Sequence, residues 1–171
     1  MSLESLEELF IEELRDIYNG EKQILRALPK MAKAAESPEL GDAFTKHLKE
    51  TEGQVQRLER IFQGLGQAVR GKTFKGIQGI LEEGKELLEK EDPGPVLDAA
   101  LVAGAQKVEH YEMAVYGCLR TYAQLLGNDE AARLLEQTLN EEEAADQKLT
   151  QLGESGINEA AVVGSSEEEE E

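Results

Sequence analysis

Glu109 and Glu112 stand three residues apart in the stretch AQKVEHYEMAVYGCL, residues 105–119, on the stripe that Ala105, Val108, Val115 and Leu119 make apolar. A carboxylate turned into a helical core costs on the order of several kcal/mol unless it is paired or neutralised, so two on one stripe call for a partner. Comparable stripes elsewhere also carry polar groups. Glu21 lies among Leu14, Ile17, Ile24 and Leu28; His47 and Gln54 lie among Phe44, Thr51, Leu58 and Phe62, with Glu50 at the edge. Glu142 follows Leu135 and Leu139, with Asp146 beside it. The spacing repeats: Glu21 precedes Glu50 by 29 residues and Glu112 precedes Glu142 by 30, while Glu50–Gln54 and Glu142–Asp146 are each four apart. Two chemistries fit. Carboxylates from facing helices can surround divalent metal ions; alternatively, a chain with 36 acidic residues places some of them at helix boundaries where they reach water. His47 serves either as a ligand or as a hydrogen-bonded bundle histidine, and His110 points about 100° away from Glu109. Tyr18, Tyr111 and Tyr116 are core or boundary residues, with Tyr18 one turn before Glu21 and able to orient it.

The elements that must position these groups are helical. Leu6, Phe10, Leu14, Ile17, Ile24, Leu28 and Met31 predict a first helix over about residues 3–34, bent at Pro29. Ser37-Pro38-Glu39 starts a second helix that ends near Gln63. A glycine-spotted connector with one weaker amphipathic run, GIQGILEEGKELLEK, leads to a third long helix from Pro95 to about Leu126. Gly127 and Asn128 or Asp129 then separate it from a fourth, which reaches about Gly153. Short turns force antiparallel neighbours and the long connector returns the chain, which predicts an all-α, ferritin-like antiparallel four-helix bundle with one long crossover carrying a short extra helix. The bundle takes residues 1–153; residues 154–171, ending in five glutamates, are expected to be a disordered acidic tail.

Composition narrows the function. Aromatics are only 5% with no Trp, and the net charge is -18, which disfavours nucleic acid and anionic membrane as partners. No run of eighteen apolar residues and no signal-peptide pattern occurs, so a cytoplasmic chain is expected. The single cysteine, Cys118, is expected to be a buried, inert thiol.

Four stretches, LRDIYNGEKQILRALPKMA, HLKETEGQVQRLERIF, AGAQKVEHYEMAVYG and LLEQTLNEEEAADQKLTQL, together resemble the YciF-like family of bacterial stress-associated proteins over about residues 3–153. The resemblance implies a ferritin-like bundle with a dinuclear metal site and a homodimer. By position, Glu21, Glu50, Glu109, Glu112 and Glu142 fall where the wider ferritin-like superfamily, including rubrerythrin, places bridging and terminal carboxylates, and Glu109-x-x-Glu112 is similar to rubrerythrin's doubled glutamate. The superfamily's Glu-x-x-His is absent, replaced by Glu50 to Gln54 and Glu142 to Asp146, which implies an oxygen-only ligand set. By softness alone oxygen ligands suit Fe, Mn, Mg or Ca equally. The expected metal residues are therefore Glu21, Glu50, Gln54, Glu109, Glu112, Glu142 and Asp146, holding dinuclear Fe or Mn in a stress protein that oxidises Fe(II) or consumes a small oxidant such as peroxide. The alternative is a non-catalytic acidic bundle acting by self-association or partner binding.

Overall fold

A computed structural model describes residues 3–73 and 75–167, with side chains described as far as residue 163. Helices α1 (Leu6–Ala34), α2 (Pro38–Gly64), α4 (Pro95–Leu125) and α5 (Asp129–Leu152) form the bundle, and α3 (Lys75–Lys90) rides on the crossover between α2 and α4. The starts follow capping chemistry. Ser5, Ser37 and Asn128 each accept a backbone N–H from the first turn, and Pro38 and Pro95 occupy first-turn positions that need no donor. Pro29 sits inside α1, which continues to Ala34.

Cross-helix bonds fix the directions. Gln54 reaches Glu142 while Arg57 reaches Thr138, so α2 and α5 run antiparallel. Tyr116 reaches Glu21 while Asp98 reaches the end of α1, so α1 and α4 do too. Residues such as Phe10, Leu14, Ile17, Leu58, Phe62, Leu119 and Leu135, all at or below 1% exposure, fill the core along these faces. The crossover is tied down early: Lys72 donates its backbone N–H to Arg15 O at 3.1 Å and its Nζ to Glu12 at 2.9 Å. A Cβ at Gly71 would lie 2.9 Å from Asn19 Cβ, and one at Gly76 would collide with the Tyr111 ring, so both glycines permit the close approach of the connector. From there α3 buries Ile77 completely and packs Ile80, Leu81 and Leu88 on the bundle.

Two expectations are corrected. The chain is not disordered from residue 154: after Gly153 it takes a sharp, non-helical turn at Gly156 and continues as α6 (Asn158–Glu167), which packs beside α4. Gly156, at φ 150°, makes that turn, and Ile157 packs against the core, which gives the segment apolar contacts that a glutamate-rich composition hides. The expectation for residues 168–171 lies outside the described residues. Cys118 is exposed rather than buried, because the inward face of α4 there belongs to Tyr116 and Leu119. No helix among the described residues is long and apolar enough to cross a membrane.

Asp98, 3% exposed, locks one end of the bundle by accepting the backbone N–H groups of Glu36 and Ser37 at 2.9 and 2.7 Å. These donors lie in the α1–α2 turn, so one side chain on α4 ties the two hairpins together. Replacing Asp98 by Ala should cost roughly 2–4 kcal/mol, since two donors lose a charged acceptor. Asn, which keeps one acceptor oxygen, should cost less. Urea unfolding midpoints at constant slope measure both.

Candidate metal centre

Halfway along the bundle the inward stripes of all four helices turn polar at the same level. α1 supplies Glu21, α2 supplies His47 and Gln54, α4 supplies Glu109, Glu112 and Tyr116, and α5 supplies Glu142. Glu21, Gln54, Glu112, Tyr116 and Glu142 are fully buried, with Glu109 at 3% and His47 at 5% exposure. Because α4 is antiparallel to α1, and α5 to α2, residues far apart in sequence meet here: Tyr116 donates its hydroxyl to Glu21 Oε1, and Gln54 Nε2 donates to Glu142 Oε1.

One ligand atom from each of His47, Glu109, Glu112 and Glu142 lies within 4.8 Å of the others. His47 Nε2 stands 3.3 Å from Glu109 Oε1 and 3.5 Å from Glu142 Oε2, while its Nδ1 faces Glu50 Oε2 at 3.4 Å. On the α2–α5 side Arg57 forms a fork on Glu141, at 2.7 and 2.5 Å, and also donates to Thr138 at 2.9 Å. Arg57 therefore spends its hydrogen bonds beside the cluster and leaves the central acids without a bonded cation.

The electrostatics follow from that crowding. Burial, followed by the charges of neighbouring acids, pushes Glu21 and Glu112 well above the usual carboxylate range; for Glu109, burial and then the adjoining Glu142 carboxyl do the same. The Tyr116 phenol also rises well above its ordinary value through burial and the adjacent Glu21 and Glu112 charges. For His47, burial opposes charging, but the Glu50 hydrogen bond and the Glu142 charge outweigh it and raise its pKa. Glu50 moves the other way, lowered chiefly by His47.

The residues expected from sequence divide into two groups. Glu21, Glu109, Glu112, Glu142 and Gln54 converge. Glu50 does not enter the cluster: its side chain is 24% exposed and ion-paired to Lys46 at 2.9 Å. Asp146 also turns aside, accepting from Gln106 at 3.1 Å and standing 3.2 Å from His110. In place of Glu50, His47 enters the cluster, so the donor set is no longer oxygen-only. Its place on the stripe with Phe44 and Thr51 was the available signal. Tyr18 orients Glu59 rather than Glu21, at 3.0 Å, and packs edge-on to Phe62. Tyr116, one turn after Glu112, is the tyrosine that holds Glu21.

The cluster fits a metal ion on its own chemistry. Glu21 Oε2, His47 Nε2, Glu109 Oε2, both Glu112 carboxylate oxygens and Glu142 Oε2 are buried without a hydrogen-bond partner among the described residues. Buried polar atoms are nearly always satisfied, so six at one level of one bundle mark a place built for something else. Carboxylate oxygen with one imidazole is a donor set for divalent first-row metals.

Fold and site together define a ferritin-like four-helix bundle with a buried carboxylate–histidine cluster. The chain belongs to the family described as Domain of unknown function (DUF892), which matches residues 5–162. It is 43% identical to Protein YciF of Escherichia coli (strain K12) over 162 residues, covering 94% of this chain and 98% of that protein. The crystal structure of the E. coli stress protein YciF superposes with a TM-score of 0.87 over 91% of this chain and 99% of the other, at 43% identity. YcfI from Rhodopseudomonas palustris, 45% identical, gives 0.83 over 87% and 95% of the two chains.

The raised pKa values set a pH dependence for metal-free protein. A glutamate whose folded pKa is raised keeps its proton in the folded chain after the unfolded chain has lost it. Stability is therefore full below the ordinary glutamate range and falls as pH climbs through the folded values. His47, also raised, acts in the same direction at higher pH, while Glu50 acts oppositely only in acid. Chelated protein should lose stability as pH climbs from below the ordinary glutamate range through neutrality. Glu112→Gln, which removes one of the mutually repelling acids, should flatten the curve and stabilise the protein at neutral pH. Thermal melts across that range measure it.

Proposed function

We propose that this chain is a stress-response metalloprotein whose buried cluster binds a pair of divalent ions, Fe or Mn, between Glu21, Glu109, Glu112, Glu142 and His47. The observation that carries this reading is the set of buried, unpartnered donor atoms converging from four helices. Charge supports the number of ions. Four inward carboxylates sum to -4 when ionised, and two divalent cations would neutralise them. Metal bound there would supply electrons to a small oxidant such as peroxide, which is the activity proposed for it.

The chain's own contribution is positioning and exclusion of water. Tyr116 leaves Glu21 Oε2 as the free oxygen by occupying Oε1, and Gln54 does the same for Glu142. Glu50 at His47 Nδ1 turns Nε2 towards Glu109 and Glu142. The apolar layers above and below keep the site in low dielectric, where the attraction between carboxylates and a cation is strongest. The E. coli relative is described as a stress protein, which is the basis for placing this chain in a stress response. Exposed Leu125 and Leu126 at the end of α4 support the homodimer as part of the same reading.

Protein purified without chelator should carry iron or manganese by elemental analysis. Adding Mn(II) to chelated protein at neutral pH should raise stability by roughly 3–4 kcal/mol when free ion is about 100 to 1,000 times its dissociation constant, with release of protons. The double variant Glu21→Gln/Glu112→Gln should lose that response, and peroxide consumption in the presence of Fe(II) should fall with it. Identical melting of chelated wild type with and without ions, unaltered by the double variant, would leave the non-catalytic bundle as the function.

A further inference from the structure

Where α2 and α5 face each other, a cleft of about 500 Å³ runs from the surface to the cluster. It exists because the helices present Ala43, Ala144 and Ala145 where larger side chains would close the groove. Its outer rim carries the exposed acids Glu39 and Asp42 together with the exposed lysines Lys46 and Lys148, and its inner wall carries His47 and Glu109, which are 5% and 3% exposed. His47 Nε2 and Glu109 Oε2, among the unpartnered buried atoms, thus belong to residues that line a surface opening. Glu50 lies between rim and wall, half-buried, with one oxygen on Lys46 Nζ at 2.9 Å and the other facing His47 Nδ1 at 3.4 Å.

We propose that this α2–α5 cleft is the route by which a divalent cation enters the buried cluster, with Glu50 as its transfer ligand and Lys46 as the cation it displaces. The inference rests on the metal-binding reading above and adds its access path. The two rim acids are matched by Lys46 and Lys148, so it is the wider surface, at net charge -18, that draws cations from solution. Lys46, 74% exposed, holds Glu50 through a contact that is cheap to break, because an exposed ion pair contributes little. An arriving ion takes the Glu50 carboxylate from Lys46 and then meets Glu109 and the His47 imidazole, which lie deeper along the same wall. This gives Glu50 a second role beside orienting His47. No bond is made or broken beyond metal–ligand exchange.

Rates of Mn(II) uptake by the full-length, chelated protein, followed by stopped-flow with electron paramagnetic resonance of the remaining free ion, separate the route from the site. Ala144→Leu, a helix-compatible change at an exposed position, should fill the cleft and slow loading about tenfold. Glu50→Gln should slow it severalfold, and Lys46→Met should speed it, a sign that damage to the fold would not produce. Loading by wild type should also slow as salt rises, because the negative surface charge is screened. Wild-type rates in both Ala144→Leu and Lys46→Met, with full uptake, would overturn the route and leave the metal site standing. Absence of Mn(II) uptake by the wild type would overturn both.

Discussion

Mutual repulsion among carboxylates held in a dry interior is the constraint around which this bundle is arranged. Glu21, Glu112 and Glu142 are fully buried and Glu109 nearly so, at one level of a core that is otherwise mainly aliphatic and aromatic. Burial and neighbouring charge both oppose ionisation, and the pKa values of Glu21, Glu109 and Glu112 rise accordingly. A fold retains such a feature only if something compensates it. The nearest guanidinium, Arg57, is committed to Glu141 and Thr138, which leaves the compensation to protons or to a bound cation.

The surrounding contacts make sense as supports for that centre. Tyr116 and Gln54 each occupy one oxygen of an inward carboxylate, and Glu50 sets the face that His47 presents. These partners come from different helices, so the site depends on the register of the whole bundle. Asp98 secures that register at one end by fastening the α1–α2 turn to the start of α4. The crossover secures it along the side, through Lys72 on Arg15 and Glu12 and through the apolar face of α3.

The two hairpins are related but not equivalent. Sequence spacing matches Glu21–Glu50 with Glu112–Glu142, yet Glu142 is sealed in the core and Glu50 opens on a cleft. The difference arises on α2, where His47 takes the inward place and Glu50 is left at the edge. The acids at equivalent positions therefore have different surroundings, one enclosed by the core and the other on the wall of a cleft between α2 and α5.

Helical periodicity determined the four long helices and the inward places of Glu21, Glu109, Glu112 and Glu142, because a stripe at three- and four-residue spacing marks the buried face wherever a helix packs, and the connector lengths determined their antiparallel order. The serine, asparagine, proline and glycine signals likewise marked the ends of those helices, since caps are local chemistry. The matter left to tertiary structure was which edge residues enter the core. Glu50 and Asp146 lie a fraction of a turn from the inward direction, and the closeness of the facing helix decides whether such a side chain turns in or out. That Tyr116 rather than Tyr18 meets Glu21 depends on how α4 aligns against α1, and the packing of Ile157 after Gly156 depends on a surface the bundle creates only once assembled. Long-range register is a property of all four helices together, and no single stretch of the chain encodes it.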